Sequence, residues 1–253
     1  MSGFFDYSHL EMRYEPFPIG LAKPIIADDV YSEMLDNWPD TDQFKHMTEL
    51  GHKFALSEKF HGRQYHEFIR SRPIWTEFHR WIKSDDFLKG VMDALLERNI
   101  DLGYRGRVPP LKRAVKTAKG ILRGRPPVRG AKLSARFEFQ MMPADGGHIL
   151  PHTDTPAKIV TLVISMQRPG EWDPAWGGST DIDRPKDITQ VYNELNAQRP
   201  FEDMEKVDGY AFTPNQAAVF VKTYNSWHSV RPMLGQGTDA KRKTLIINIE
   251  VPK

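Results

Sequence analysis

Residues 133–166 read LSARFEFQMMPADGGHILPHTDTPAKIVTLVISM. Leu133–Met142 alternates between apolar and polar positions, and Ala157–Met166 is rich in β-branched residues, so both ends of the stretch have strand texture. Pro143, Gly146 and Gly147 supply turn chemistry between them. Outward from this stretch, further short strands are expected at Gly178–Ile182, Gly209–Phe212, Ala217–Val221 and Thr244–Val251. Short strands separated by Gly, Pro, Asn and Asp turns point to a sandwich or barrel. The C-terminal half therefore reads as a jelly roll with helices packed outside it. One helix is expected around Ile188–Gln198, inside a long excursion, Arg168–Asp208, that could cover a site or merely decorate it.

Before residue 133 the texture is different. Tyr14–Ile26 carries three prolines and reads as extended. Asp28 or Asp29 is expected to cap a helix running through Asp36. Pro73–Asn99 shows helical periodicity in Ile74, Trp75, Phe78, Trp81 and Ile82, then in Phe87, Leu88, Val91, Met92, Leu95 and Leu96. A break near Ser84-Asp85-Asp86 divides it into two amphipathic helices whose aromatics belong in a core. Leu111–Leu122, between Pro109-Pro110 and Pro126-Pro127, has the composition of a short cationic helix.

The bulk numbers are those of a globular domain: 253 residues, 40% hydrophobic, 27% charged, net charge +2. No apolar run is long enough to cross a bilayer, and the opening MSGFFDYSHLEMRYEPF lacks the apolar core of a secretory signal, so a cytoplasmic location is expected. The chain has no cysteine, which excludes disulfides, thiolate catalysis and cysteine metal sites. Any metal must be held by nitrogen and oxygen. From Leu102 to Phe137 there is no acid, while Arg105, Arg107, Lys112, Arg113, Lys116, Lys119, Arg123, Arg125, Arg129, Lys132 and Arg136 are basic. Such a block either meets an anionic partner or forms a solvated insertion. The expected organisation is one domain over 1–253: a helical support region at 1–101, a basic insertion at 102–132 and a β core at 133–253.

His152-Thr153-Asp154 is the only H-x-D in the chain. Residues i and i+2 of an extended segment point the same way, so an imidazole and a carboxylate can take neighbouring positions on one metal. His228, from Trp227-His228-Ser229-Val230, would complete one face of an octahedron. Two histidines and one carboxylate leave coordination sites open, which suits non-haem Fe(II). His148 is read as a turn residue, and Trp176 and Trp227 as core or pocket wall. The acids Asp173, Asp181, Asp183 and Asp187 match no calcium-loop spacing.

Four segments in this order, FEFQMMPADGGHILPHTD, WGGSTDI, NSWHSVRPM and RKTLIINIE, resemble the 2-oxoglutarate/Fe(II)-dependent oxygenase superfamily, particularly its prolyl-hydroxylase-like branch. The resemblance covers about Phe137 to Val251. It implies a mostly β fold with N-terminal helices around a double-stranded β-helix core of the jelly-roll, cupin-like kind. It also implies that His152, Asp154 and His228 bind iron and that Arg242 clamps the distal carboxylate of 2-oxoglutarate, a task to which a guanidinium fork is suited. Lys241 and Lys243 compete for that role, although strand alternation would turn Lys243 to the opposite face. Gln140 and Thr161 are further candidate contacts for the cosubstrate. The tyrosine that the branch often places near Met142 is absent. The implied reaction consumes 2-oxoglutarate and O2 and oxidises an unactivated C–H bond. A carboxylate at Asp154 argues for hydroxylation or desaturation over halogenation.

The expected substrate is small and anionic or carbohydrate-like, recruited with help from the basic block. The second arginine of nucleic-acid demethylases is replaced by Asn248, and the block lacks interleaved aromatics for stacking bases, so nucleic acid is disfavoured. A peptidyl or prolyl hydroxylase and a non-catalytic cupin-like metal-binding protein are the alternatives.

Overall fold

The computed structural model describes residues 3–103, 115, 118–119, 122 and 133–251. The expected cationic helix and nearly all of the basic block lie outside the described residues. Two short strands open the chain, β1 (Glu11–Arg13) and β2 (Ile19–Ala22), followed by α1 (Asp28–Asp36), β3 (Lys45–Met47) and β4 (Lys53–Ser57). Three helices come next: α2 (Gly62–Ser71), α3 (Pro73–Ile82) and α4 (Asp85–Leu96). The remaining strands are β5 (Ser134–Pro143), β6 (Ile149–His152), β7 (Lys158–Ser165), β8 (Thr180–Pro185), β9 (Met204–Tyr210), β10 (Ala217–Val221), β11 (His228–Val230) and β12 (Lys241–Glu250).

These strands form two antiparallel sheets, ordered β1-β2-β10-β7-β12-β5-β4-β3 and β6-β11-β8-β9. The arrangement is the jelly roll expected from the sequence, with the helices against the large sheet. Alternation along β5 and β12 explains why the large sheet has two different faces. Phe137, Phe139, Leu245, Ile247 and Ile249 point outward and are buried under the helices. There Trp75 meets Phe139 edge-on at 4.6 Å between ring centroids, and Phe78 meets Phe137 at 5.0 Å. Each such buried aromatic contributes on the order of 1.5–3 kcal/mol of apolar transfer. The intervening residues, Arg136, Glu138 and Gln140 on β5 and Arg242, Ile246, Asn248 and Glu250 on β12, line a cavity between the sheets. The apolar part of that interior is smaller: Phe17, Ile19, Ile182 and Phe220 at one end, Met142, Trp172, Phe212, Val230 and Met233 at the other.

The two helices read from Pro73–Asn99 are present as α3 and α4, and Ser84 caps α4 by accepting from the Phe87 N–H at 3.2 Å. Helix α1 has the expected extent, but its N-cap is Ala27; Asp28 and Asp29 sit inside the first turn, where they favour the helix dipole. Helix α2 has no counterpart in the sequence reading. The helix expected at Ile188–Gln198 does not form: only Ile188–Gln190 makes a single 3-10 turn. Side chains take the backbone groups that a helix would need. Asn193 donates to the Ala197 carbonyl and accepts from its N–H, both at 2.8 Å, while Trp227 Nε1 takes the Val191 carbonyl at 2.7 Å. Among the described residues no helix is long and apolar enough to cross a membrane.

Candidate metal and cosubstrate centre

The two histidines arrive by strand pairing. Antiparallel β6 and β11 place His152 directly opposite His228, with ring centroids 4.3 Å apart. Asp154 follows β6 by two residues and holds φ +68°, a left-handed conformation uncommon outside glycine. That turn carries the carboxylate back between the rings. Asp154 Oδ1 lies 3.7 Å from His152 Nε2, and Oδ2 lies 4.0 Å from His228 Nε2. The three donor atoms all fall within 4.8 Å of one another, as a shared ion requires.

Hydrogen bonding fixes which ring nitrogen is offered. His152 Nδ1 lies 2.9 Å from the Leu150 carbonyl, and His228 Nδ1 lies 2.9 Å from the Ser226 carbonyl. A carbonyl can only accept, so each Nδ1 carries the hydrogen and each Nε2 presents its lone pair toward Asp154. Burial, reinforced by the neighbouring His152, pushes His228 down to about 3, so its ring is neutral. Phe220 packs its ring 4.5 Å from that of His228 and limits its rotation. Burial opposes the charge on Asp154, but the Lys158 ammonium and the two imidazoles outweigh it and hold the carboxyl well below its usual range. Lys158 Nζ donates to Asp154 Oδ1 at 2.5 Å. The Thr161 hydroxyl lies 3.2 Å from both Asp154 Oδ2 and Asn248 Oδ1. Two imidazoles and one anionic carboxylate, with no thiolate, make a donor set that fits Fe(II).

Arg242 sits farther along the same sheet face, 2% exposed. Its Nε donates to the Gly178 carbonyl at 2.6 Å, its Nη2 reaches Thr180 Oγ1 at 3.4 Å, and its guanidinium lies 4.7 Å from the Phe212 ring centre. Gly178 has φ +82°, and a Cβ there would stand 3.3 Å from Arg242 Cδ, so glycine permits the approach. Burial lowers Arg242 to about 10, with Asp181 opposing the shift, and the group stays charged at neutral pH. No carboxylate of the described residues lies within ion-pair distance of it. Buried charges are ordinarily paired, so this cation calls for an anionic ligand. Gln140 Nε2 and Thr244 Oγ1, both buried, also lack a partner among the described residues. Lys243 points to the other face and pairs with Glu171 at 3.8 Å.

His152, Asp154, His228, Arg242, Gln140 and Thr161 all line one cavity of about 940 Å3. Thr161 touches Asp154, whereas Gln140 touches neither the triad nor Arg242 through any hydrogen bond. Lys158, Phe220 and Thr244 escaped the sequence reading. Thr244 was accessible to it, being two residues from Arg242 on the same strand face. Lys158 carried no such signal. Asp181 and Asp183 are buried on the small sheet and are paired with Arg231 at 2.6 and 3.2 Å, with Lys206 also on Asp181 at 2.6 Å.

A jelly roll whose interior holds two imidazoles, one carboxylate and a buried arginine unpaired among the described residues has the groups that a non-haem iron protein with an acidic cosubstrate needs. Residues 137–250 match the sequence profile of the 2OG-Fe(II) oxygenase superfamily, and this part of the chain is a 2OG-Fe(II) oxygenase domain. The matched domain is of the 2-oxoglutarate-dependent non-haem iron dioxygenase kind, whose chemistry uses Fe(II), 2-oxoglutarate and O2, and His152, Asp154 and His228 form its candidate iron site. No curated protein matches the chain. Similar solved structures include a prolyl-4-hydroxylase from Pseudomonas putida (10% identity, 92% of each chain, TM-score 0.46). Another is the α-ketoglutarate-dependent epimerase SnoN of nogalamycin biosynthesis (12% identity, 92% of this chain and 78% of that one, TM-score 0.47). A third is HygX from Streptomyces hygroscopicus, solved with nickel, 2-oxoglutarate and hygromycin B (7% identity, 92% and 82%, TM-score 0.45).

Proposed function

We propose that His152, Asp154 and His228 bind Fe(II), that Arg242 binds the distal carboxylate of 2-oxoglutarate, and that the domain hydroxylates an unactivated C–H bond of a small anionic or carbohydrate-like substrate. The observation that carries this reading is the meeting of the triad and an unpaired buried arginine in one cavity. Bound iron with its cosubstrate supplies the oxidising power, and the substrate gains one oxygen atom of O2 while 2-oxoglutarate becomes succinate and CO2.

The protein's own groups do the rest. The Leu150 and Ser226 carbonyls hold the imidazoles in the ligating tautomer. Thr161 and Lys158 aim the carboxylate. Arg242, already stripped of water and braced by Gly178, holds a carboxylate without further reorganisation. Val163, Phe220 and Ile246 provide apolar wall between these polar groups. A cavity of about 940 Å3 suits a small molecule. Its walls are rich in charge, with Lys53, Arg136, Glu138 and Glu250 beside the triad, which favours a polar substrate over an apolar one. The organisation that supports this reading is a single domain, with the helices of 3–101 bracing the β core of 133–251.

The test is an anaerobic titration of the purified protein with Fe(II) and 2-oxoglutarate, followed by visible absorption. The weak charge-transfer band of the chelate is expected in the wild type and not in His152→Ala. Folded, iron-loaded protein without the band would overturn the reading.

A further inference from the structure

The register of the large sheet sets the cavity's long axis. Lys158 on β7 stands opposite Glu250 on β12, and Thr161 stands opposite Asn248. Arg242 is eight residues back along β12, roughly 26 Å away at the usual strand rise. Asp154, held by Thr161, falls between these two ends. The cavity thus has Arg242 toward one end and Asp154, with Lys158 against it, toward the other.

Around Lys158 the other charges are already matched. Lys53 donates to Glu138 at 2.9 Å, and Arg136 donates to Glu250 at 2.8 Å, so these four groups sum to zero. The Lys158 ammonium, 15% exposed, has Asp154 as its counter-ion at 2.5 Å. That is the one carboxylate of the metal triad. With Fe(II) and the 2-oxoglutarate dianion in place, their charges cancel. Asp154 then offsets only one of the two cations Arg242 and Lys158, and the loaded site keeps one positive charge in excess. Once Asp154 is a metal ligand, the partly buried ammonium needs a new anion, because an unmatched charge in such a place is strongly disfavoured. Lys222, close enough to feel both Asp154 and Lys158, adds to the local positive potential.

We propose that Lys158 is the anchor for an oxyanion of the substrate, a carboxylate or phosphate, gripped toward the end of the cavity away from Arg242. The inference rests on the assignment of the triad and Arg242 made above. It makes Lys158 a specificity-determining residue: substrates carrying an oxyanion enter and neutral analogues do not. Ser134, Thr155 and Asn248, which line the same part of the cavity, offer hydrogen bonds to the rest of such a molecule.

The experiment uses the full chain loaded anaerobically with Mn(II) and saturating 2-oxoglutarate, with methylphosphonate as the probe anion. Paramagnetic relaxation of its 31P signal reports binding near the metal without turnover. In the wild type the enhancement is expected to saturate with phosphonate. Lys158→Met should weaken that affinity about tenfold or more, the loss expected for one charge-assisted contact, and Lys158→Arg should restore most of it. The Fe(II) charge-transfer band, read separately, confirms that each variant is loaded with metal and 2-oxoglutarate before its phosphonate affinity is compared with that of the wild type. A Lys158→Met protein that binds phosphonate as well as the wild type overturns the proposal. So does a wild type that forms the band yet shows no 31P enhancement. If the wild type forms no band at all, the underlying metal and cosubstrate reading fails, and the proposal fails with it.

Discussion

At the scale of single residues, the site works by fixing groups before any ligand arrives. Two backbone carbonyls determine which imidazole nitrogens are free. The Thr161 hydroxyl, shared between Asp154 and Asn248, fixes the carboxylate. Thr161→Val should therefore leave the fold intact and lower Fe(II) or Co(II) affinity by about ten- to a hundredfold, measured by anaerobic calorimetry. Unchanged affinity would mean that Lys158 alone suffices to orient Asp154. Arg242 presents a fork that an ammonium cannot copy. Arg242→Lys should weaken 2-oxoglutarate binding about tenfold or more while metal affinity holds, a split that a titration of the charge-transfer band would show.

At the scale of elements, the entry to β8 and the start of α4 offer separable tests. Gly178 combines a left-handed backbone with close contacts to Trp172 and Arg242. Gly178→Ala is expected to displace the carbonyl that braces Arg242, raising the KM for 2-oxoglutarate with little change in metal binding. The Ser84 cap is remote from the site. Ser84→Ala should cost about 1 kcal/mol of stability in urea unfolding, with full metal affinity retained. Strand β12 was readable element by element: TLIINIEV alternates, and alternation put Leu245, Ile247 and Ile249 against the helices and Asn248 in the cavity. Strands β6 and β11, which carry the histidines, are four and three residues long. Runs that short hold too few alternations to register, so the sequence showed the two histidines without the strands that align them. The failed helix at 188–198 has a different cause. Asn193 and Trp227 claim the backbone groups that would have closed its turns.

At the scale of the whole molecule, the helical layer and the β core are held together by charge as well as by apolar packing. Glu58, just after β4, accepts from His79 on α3 at 3.3 Å and from Lys83 at its end at 2.9 Å. The His79 bond, against opposing burial and with help from Lys83, brings its carboxyl from 4.5 to about 2. The unfolded chain then binds the proton more readily than the folded one, so this contribution is full above about pH 4.5 and is lost as pH falls toward 2. Urea midpoints should drop over that window, and Glu58→Gln should flatten the drop. Metal binding should act on the same equilibrium from the site. Added Co(II) is expected to raise the thermal midpoint of the wild type and not that of His152→Ala, because the ligand binds only the folded protein.

The sequence by itself determined the candidate donor groups, their order and the two-faced strands, because side-chain chemistry and period-two alternation are local properties of the chain. It also marked Arg242 off from Lys243 by the same alternation. Only the tertiary structure decided that Arg242 has no carboxylate partner among the described residues, that Lys158 leans on Asp154, and that Arg242 and Lys158 lie toward opposite ends of one cavity. Those facts depend on pairings between β5, β7 and β12, strands separated by tens of residues. Burial and charge balance are sums over everything that surrounds a group, and a linear pattern does not contain its surroundings.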